Sequence, residues 1–270
     1  MCVALAAHHT WQAMLAHYTL QPGAEPVAQP GAQPGAQSNA QPGSGLIFTP
    51  SAVIRSQAAH PMIRQALNDR GVDRAVDNAE PRTITRVLDL ARWGFPGAKG
   101  RSTPVTSARC ETLDVLPKFR DAFQTQRCVV PVSGYYAWKR EVDGTRTPWR
   151  FSRQTSNPES RNLESGITDS SLSNFIDIAG LYRFNRVSRQ YQFVVITTEP
   201  NEITAEIHDR MPVILTEEGA DTWLSLNTGR ADLRALCKPY DGDDLTAQPV
   251  AKSLFDRPKA VDKNQLSLAI

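Results

Sequence analysis

No apolar run in the 270 residues approaches the length of about 20 that a membrane-spanning helix needs. Cysteine is scarce: Cys2, Cys110, Cys128 and Cys237 are scattered without a tight pair, a usage that suits reduced thiols in a reducing compartment. No CxxC or HExxH pair occurs, so no zinc site is expected. The GxSxG elbow and the glycine-rich phosphate loop are missing too, and the common hydrolase, kinase and dinucleotide-binding readings go with them. The chain has no Lys/Arg-led secretory start, and His8 and His9 interrupt its first apolar stretch; a cytoplasmic protein is expected. Neither sign of charge dominates, because 30 basic and 28 acidic side chains leave a net +2. A nucleic-acid interface would have to be a local basic face.

What is present is an ordinary globular composition, 40% hydrophobic and 21% charged, in a chain long enough to bury a proper core. Residues 21–45 are different. They form a degenerate QPGA repeat without apolar periodicity, and its prolines and glycines forbid both helix and ladder. A flexible insert is expected there. Elsewhere WQAMLAHYTL, HPMIRQALND, LPKFRDAFQT, PNEITAEIH and ADLRALCK read as helices, and TEEGADTWLSL as a helix capped by Thr216. ARWGFPG, FIDIAGLYRF, YQFVVITT and MPVIL read as strands; RCVVPVSGYYAWK reads as two strands around Ser133–Gly134, with TPWRFSR as a hairpin partner. Residues 154–174 are rich in Ser and Asn and read as a surface loop. Strands and helices mix without βαβ alternation. That predicts one α+β domain over residues 1–270, built on a mostly antiparallel, barrel-like sheet flanked by short helices.

The opening MCVALAAHHT carries a chemical possibility. Removal of Met1 would leave Cys2 with a free α-amine and a thiol on one residue. An N-terminal amine has a pKa of roughly 8, so part of it is neutral near pH 7 and able to form a Schiff base. The adjacent thiol, with a pKa of about 8.5, could then trap the imine in a five-membered ring. Taken alone, a cysteine at position 2 is more often incidental than nucleophilic.

The stretch SARCETLDVLPKFRDAFQTQRCVVPVSGYYAWK resembles the SOS-response-associated peptidase family, whose proteins shield abasic sites in single-stranded DNA. The similarity continues through FIDIAGLYRF, YQFVVITTEPNEITAEIHDRMPVIL and DTWLSL, with ARWGFP similar to the family's Arg-Trp-Gly block. The resemblance implies an α+β domain around a barrel-like sheet and a basic groove for single-stranded DNA. It implies that Cys2 and His208 are catalytic and that Trp93, Arg109 and Arg210 contact DNA. The expected partner is single-stranded DNA with abasic sites, with no metal, no cofactor and no membrane. In the implied chemistry the Cys2 amine attacks the ring-opened aldehyde of the abasic sugar, and the thiol closes a thiazolidine. His208 would supply acid–base help in opening the sugar.

The departures from the family pattern are specific. Val3 and Ala4 stand where the family has Gly-Arg; Ser107 replaces an asparagine; Ala137 replaces a glutamate credited with assisting ring opening; an asparagine is lost near Ile47. These mark a divergent member of phage or mobile-element type. They also open an alternative, a protein that binds single-stranded DNA or a protein partner without covalent chemistry. A third reading, an unrelated thiol hydrolase using Cys2 and His208, has no local signature of its own. Trp93 could instead pack the core, and Arg109 and Arg210 could pair with Glu111 and Asp209.

Overall fold

The computed structural model describes residues 4–6, 14, 17–18, 21–22, 53–54, 59–67, 84–97, 103–154 and 175–256. Its strands are β1 (Ala4–Ala6), β2 (Gln21–Pro22), β3 (Val53–Ile54), β4 (Ala59–Leu67), β5 (Ile84–Trp93), β6 (Ser107–Arg109) and β7 (Arg127–Val132). They continue as β8 (Gly134–Arg140), β9 (Arg146–Arg153), β10 (Ile176–Asn185), β11 (Gln190–Thr198), β12 (Met211–Pro212), β13 (Ile214–Leu215) and β14 (Leu245–Pro249). The helices are α1 (Pro117–Thr125), α2 (Glu202–Ala205), α3 (Glu217–Leu224) and α4 (Arg230–Ala235). The mixed α+β class expected from the sequence is the observed one.

Five strands close on themselves. β4 pairs with β5 and β7, β7 with β10, and β10 with β11, all antiparallel. A parallel seam between β11 and β5, Tyr191 to Phe193 beside Ala91 to Trp93, completes the ring. The second sheet runs β14-β9-β8-β1-β3. Its β8 continues directly from β7 through Ser133, so one pair of strands serves both sheets. That junction requires Gly134: a Cβ there would sit 2.5 Å from the Phe151 carbonyl oxygen.

Side-chain alternation along the ring strands separates two apolar clusters. Met62, Trp93, Cys128, Val130, Phe193 and Val195 face inward and merge with Leu5, Tyr135, Ala137 and Phe151 of the second sheet. Ile63, Leu88, Val129, Leu181, Val194 and Ile196 face outward, where Phe119 and Phe123 of α1 and Trp223 of α3 cover them. Buried Arg127 fastens the two helices to the ring. Its guanidinium donates to the carbonyls of Phe123 (2.8 Å) and Gln124 (2.5 Å) at the end of α1, and of Trp223 and Ser225 (both 2.6 Å) at the end of α3. A cation at the carbonyl ends of two helices also complements both dipoles.

Three expectations change. HPMIRQALND reads as a helix because Met, Gln, Ala and Leu favour one, yet Ala59–Leu67 is strand β4. Met62 packs inside the ring and Ile63 outside it, so burial on both faces hides the two-residue period. MPVIL is two bridges rather than one strand: Met211–Pro212 pairs with β11 and Ile214–Leu215 with β10. Within the expected 21–45 insert, Gln21–Pro22 lies parallel to Val87–Leu88 of β5, while residues 23–45 fall outside the described residues. So do most of residues 154–174 and most of WQAMLAHYTL, of which Met14, His17 and Tyr18 are described.

Candidate functional site

The C-terminal end of β11 gathers several of the chain's site candidates. On one side β6 runs parallel to it, with Ser107, Ala108 and Arg109 beside Val195, Ile196 and Thr197. On the other side β12 pairs Met211 with Thr198. The connection between β11 and β12 is short and fixed. Asn201 caps α2, its side-chain oxygen accepting from the Thr204 amide at 3.0 Å, and the chain leaves the helix through His208, whose amide donates to the Thr204 carbonyl at 2.8 Å. His208, Arg210, Arg109 and Glu111 therefore meet at one strand end although about a hundred residues separate the two pairs, as the Arg210–Glu111 separation of 99 shows.

Arg210 is the most tightly held of them, with 13% of its side chain exposed. Its two terminal nitrogens donate to the two Glu111 oxygens at 2.6 and 2.9 Å, and one also donates to the Thr197 carbonyl at 2.6 Å. Two parallel bonds between guanidinium and carboxylate give both orientation and strength. Hydrogen bonding from Arg210 holds the Glu111 carboxyl well down, at about 2. Of the acidic partners open to Arg210 in the sequence, Glu111 is the one it pairs with. Arg109 is different: it is exposed and joins no ion pair among the described residues.

Burial pulls the His208 imidazole below its ordinary value, so the ring is neutral near pH 7. Its Nδ1 accepts from the Arg210 amide at 3.0 Å, which puts the proton of the neutral ring on Nε2. The Asp209 carboxylate stands 2.9 Å from the same Nδ1 and accepts a hydrogen bond from it when the ring is charged. Each protonation state thus has a partner on the Nδ1 side.

The remaining candidates are dispersed. Trp93 is 1% exposed; its ring stacks on Phe193 and its Nε1 donates to the Thr106 carbonyl at 2.9 Å. It presents no ring face to a base, and core packing accounts for its contacts. Ser107 is taken up in the β6–β11 ladder. Ala137, on β8, is 2% exposed inside the apolar cluster. It lies opposite Trp149 of β9, whose buried Nε1 has no hydrogen-bond partner among the described residues. Cys2 lies outside the described residues. β1 begins two residues after it, with Ala4 beside Tyr136 and Leu5 beside Tyr135 of β8. Thr197 and Trp149 carried no signal in the sequence; their parts depend on strand register. Among the described residues no group of three or more His, Cys, Asp or Glu side chains could hold a metal ion, and no helix is long and apolar enough to cross a membrane.

Comparison with known proteins agrees with the fold. A protein from Bacteroides thetaiotaomicron superposes with a TM-score of 0.65 at 19% identity, covering 93% of each chain. A phage-related protein from Bordetella bronchiseptica gives 0.59 at 18% identity, covering 92% of this chain and 94% of the other. In sequence, the chain is 38% identical over 180 residues to the abasic site processing protein YoqW of Bacillus subtilis, covering 64% of this chain and 72% of that protein. It is 27% identical over 180 residues to the abasic site processing protein HMCES of Xenopus tropicalis, covering 62% and 53% respectively. The family model described as SOS response associated peptidase (SRAP) matches residues 1–256, and the chain belongs to that family.

Proposed function

We propose that this protein processes abasic sites in DNA, binding them in single strands and linking to them covalently through Cys2 once Met1 is removed. Its relatives carry the name of abasic site processing proteins. The observation that carries the covalent reading is the pairing of β1 with β8, Ala4 beside Tyr136. β1 is thereby fixed in the second sheet, and it begins two residues after Cys2 in the sequence. The amine adds to the open-chain sugar aldehyde, water leaves as the imine forms, and the thiol adds across the C=N bond to close the thiazolidine. No atom is left over except that water. His208, neutral with its proton on Nε2, donates to the sugar oxygen and recovers the proton afterwards. Arg210 acts through His208, since its amide holds Nδ1. Arg109, exposed beside this edge, contacts phosphate.

The test uses a uracil-excised single-stranded oligonucleotide and intact-mass analysis. A stable adduct on protein lacking Met1, absent in Cys2→Ala, is the expected result. Adduct formation that persists in Cys2→Ala would sink the thiazolidine chemistry. Non-covalent binding is the second reading, and Ala137 is the observation in its favour, because a methyl group cannot handle a proton. Ala137→Glu separates the two. General acid–base help is typically worth about a hundredfold or more. Faster adduct formation at unchanged DNA affinity supports the covalent reading. If neither wild type nor a folded Ala137→Glu protein forms an adduct, binding alone stands.

A further inference from the structure

We propose that Cys110 and Cys237 form a reversible modification site, a dithiol that a hydroperoxide converts to a disulfide. Cys110 opens the short 3-10 turn that follows β6, and Cys237 lies two residues beyond the end of α4. They are 127 residues apart, yet the Cys110 sulfur lies 3.8 Å from the Cys237 carbonyl oxygen. Thr198 Oγ1, at the end of β11, approaches the same carbonyl at 3.5 Å. The Cys237 thiol donates to the Leu233 carbonyl at 3.5 Å. Asp114 anchors the two segments a second time, through ion pairs with Arg234 and, at 3.8 Å, with Arg230. The two segments are therefore already held beside each other next to the sulfurs, the adjacency that a disulfide requires.

The two sulfurs differ in chemistry. The neighbouring Cys237 holds the Cys110 thiol down, to about 7, and Cys110 in turn pushes Cys237 up. Cys110 is thus the thiolate nucleophile and Cys237 the proton-bearing resolving thiol. Cys128, fully buried in the ring with its thiol pushed up by burial, is an inert internal reference. With Cys110 itself 7% exposed, a small hydroperoxide is the fitting oxidant. The Cys110 thiolate attacks one peroxide oxygen, the O–O bond breaks, and the departing hydroxide takes a proton to become water. Cys237 then attacks the sulfenic sulfur; the S–S bond forms, the S–O bond breaks, and hydroxide leaves with the Cys237 proton as a second water. The two thiols lose two electrons and the peroxide gains them. The site borders the strand end described above, since Cys110 directly precedes Glu111, the partner of Arg210.

The experiment uses full-length Cys2→Ala protein, which removes one further thiol. The protein is exposed to hydrogen peroxide, quenched, alkylated in denaturant and digested for peptide mass analysis. The expected result is a peptide pair linked through Cys110 and Cys237, lighter by two hydrogens than the free thiols, with Cys128 alkylated throughout. Dithiothreitol should restore alkylation at both positions. In Cys237→Ser the intermediate cannot resolve, and Cys110 should accumulate as sulfenic acid that a dimedone probe captures. Cys110 and Cys237 both still alkylated after oxidant, or Cys110 over-oxidised while Cys237 stays free in the Cys2→Ala protein, would overturn the proposal.

Discussion

Asp177 and His60 titrate in opposite directions between about pH 4 and pH 6. Burial raises the Asp177 carboxyl to about 6, against an ordinary 3.8, despite the hydrogen bond it accepts from the Tyr18 hydroxyl. A carboxyl raised on folding contributes stability that is full below 3.8 and is lost as pH climbs through about 6. Burial lowers His60 to about 4 from an ordinary 6.5, its Nε2 lying 3.0 Å from the Pro131 carbonyl. Its contribution is full above 6.5 and is lost as pH falls toward 4. Each slope is at most about 1.4 kcal/mol per pH unit, and in the wild type the two offset. Asp177→Asn keeps an acceptor for Tyr18 but removes one slope. Urea denaturation stepped through this range should then show a steeper acid-side loss than wild type; parallel curves would mean that the Asp177 carboxyl is solvated. At the other exposed extreme stands Arg109. If it contacts phosphate, Arg109→Ala lowers the magnitude of the log–log salt slope for single-stranded DNA by about one or slightly less. An unchanged slope would put the basic face elsewhere.

At the scale of elements, Arg127 ties more together than any single apolar contact. The sequence RCVV shows an arginine opening an apolar strand, and nothing in that pattern reveals that two helix ends converge on it. Arg127→Met keeps the stem but leaves four carbonyls, of Phe123, Gln124, Trp223 and Ser225, without their donor. Hydrogen bonds to a charged group are each worth about 1.5–3 kcal/mol, so a loss of at least about 3 kcal/mol is expected from chemical denaturation. A loss below about 1 kcal/mol would mean that water replaces the guanidinium freely. Local signals did locate elements whose burial is one-sided. α1 has Phe119 and Phe123 four apart on its buried face, and α3 begins at Thr216, whose hydroxyl accepts from the Gly219 amide at 3.1 Å. β4 escaped because its two faces are both apolar, and β14 because Leu245–Pro249 follows the acidic turn with only Leu245 fully buried.

For the whole molecule, the connection between β2 and β3 links the ring to the second sheet, since Gln21–Pro22 pairs with β5 and Val53–Ile54 with β1. Residues 23–45 supply no apolar face to bury. Replacing them with a shorter glycine-serine bridge, while keeping residues 46–52, should leave thermal unfolding within a few degrees of wild type. A large drop in melting temperature would show that the QPGA segment packs against the rest. Lengthening or shortening a flexible connection changes closure entropy only slowly, by about 0.6 kcal/mol per doubling, so a bigger effect requires lost contacts.

The sequence alone determined the fold class, most strands and capped helices, and the family resemblance, because alternation, capping residues and short motifs are written in neighbouring residues. It also singled out His208 and Arg210, which share one motif. The tertiary structure decided what those residues touch. Closure of the ring by a parallel seam between β5 and β11 brings Trp93 against Phe193 and removes it from solvent. The β6–β11 register sets Glu111 on Arg210, which occupies that guanidinium, while Arg109 stays exposed. The turn after β6 and the end of α4 bring Cys110 to Cys237 across 127 residues. Contacts of that separation depend on strand register and helix docking, and neither leaves a local trace in the order of the amino acids.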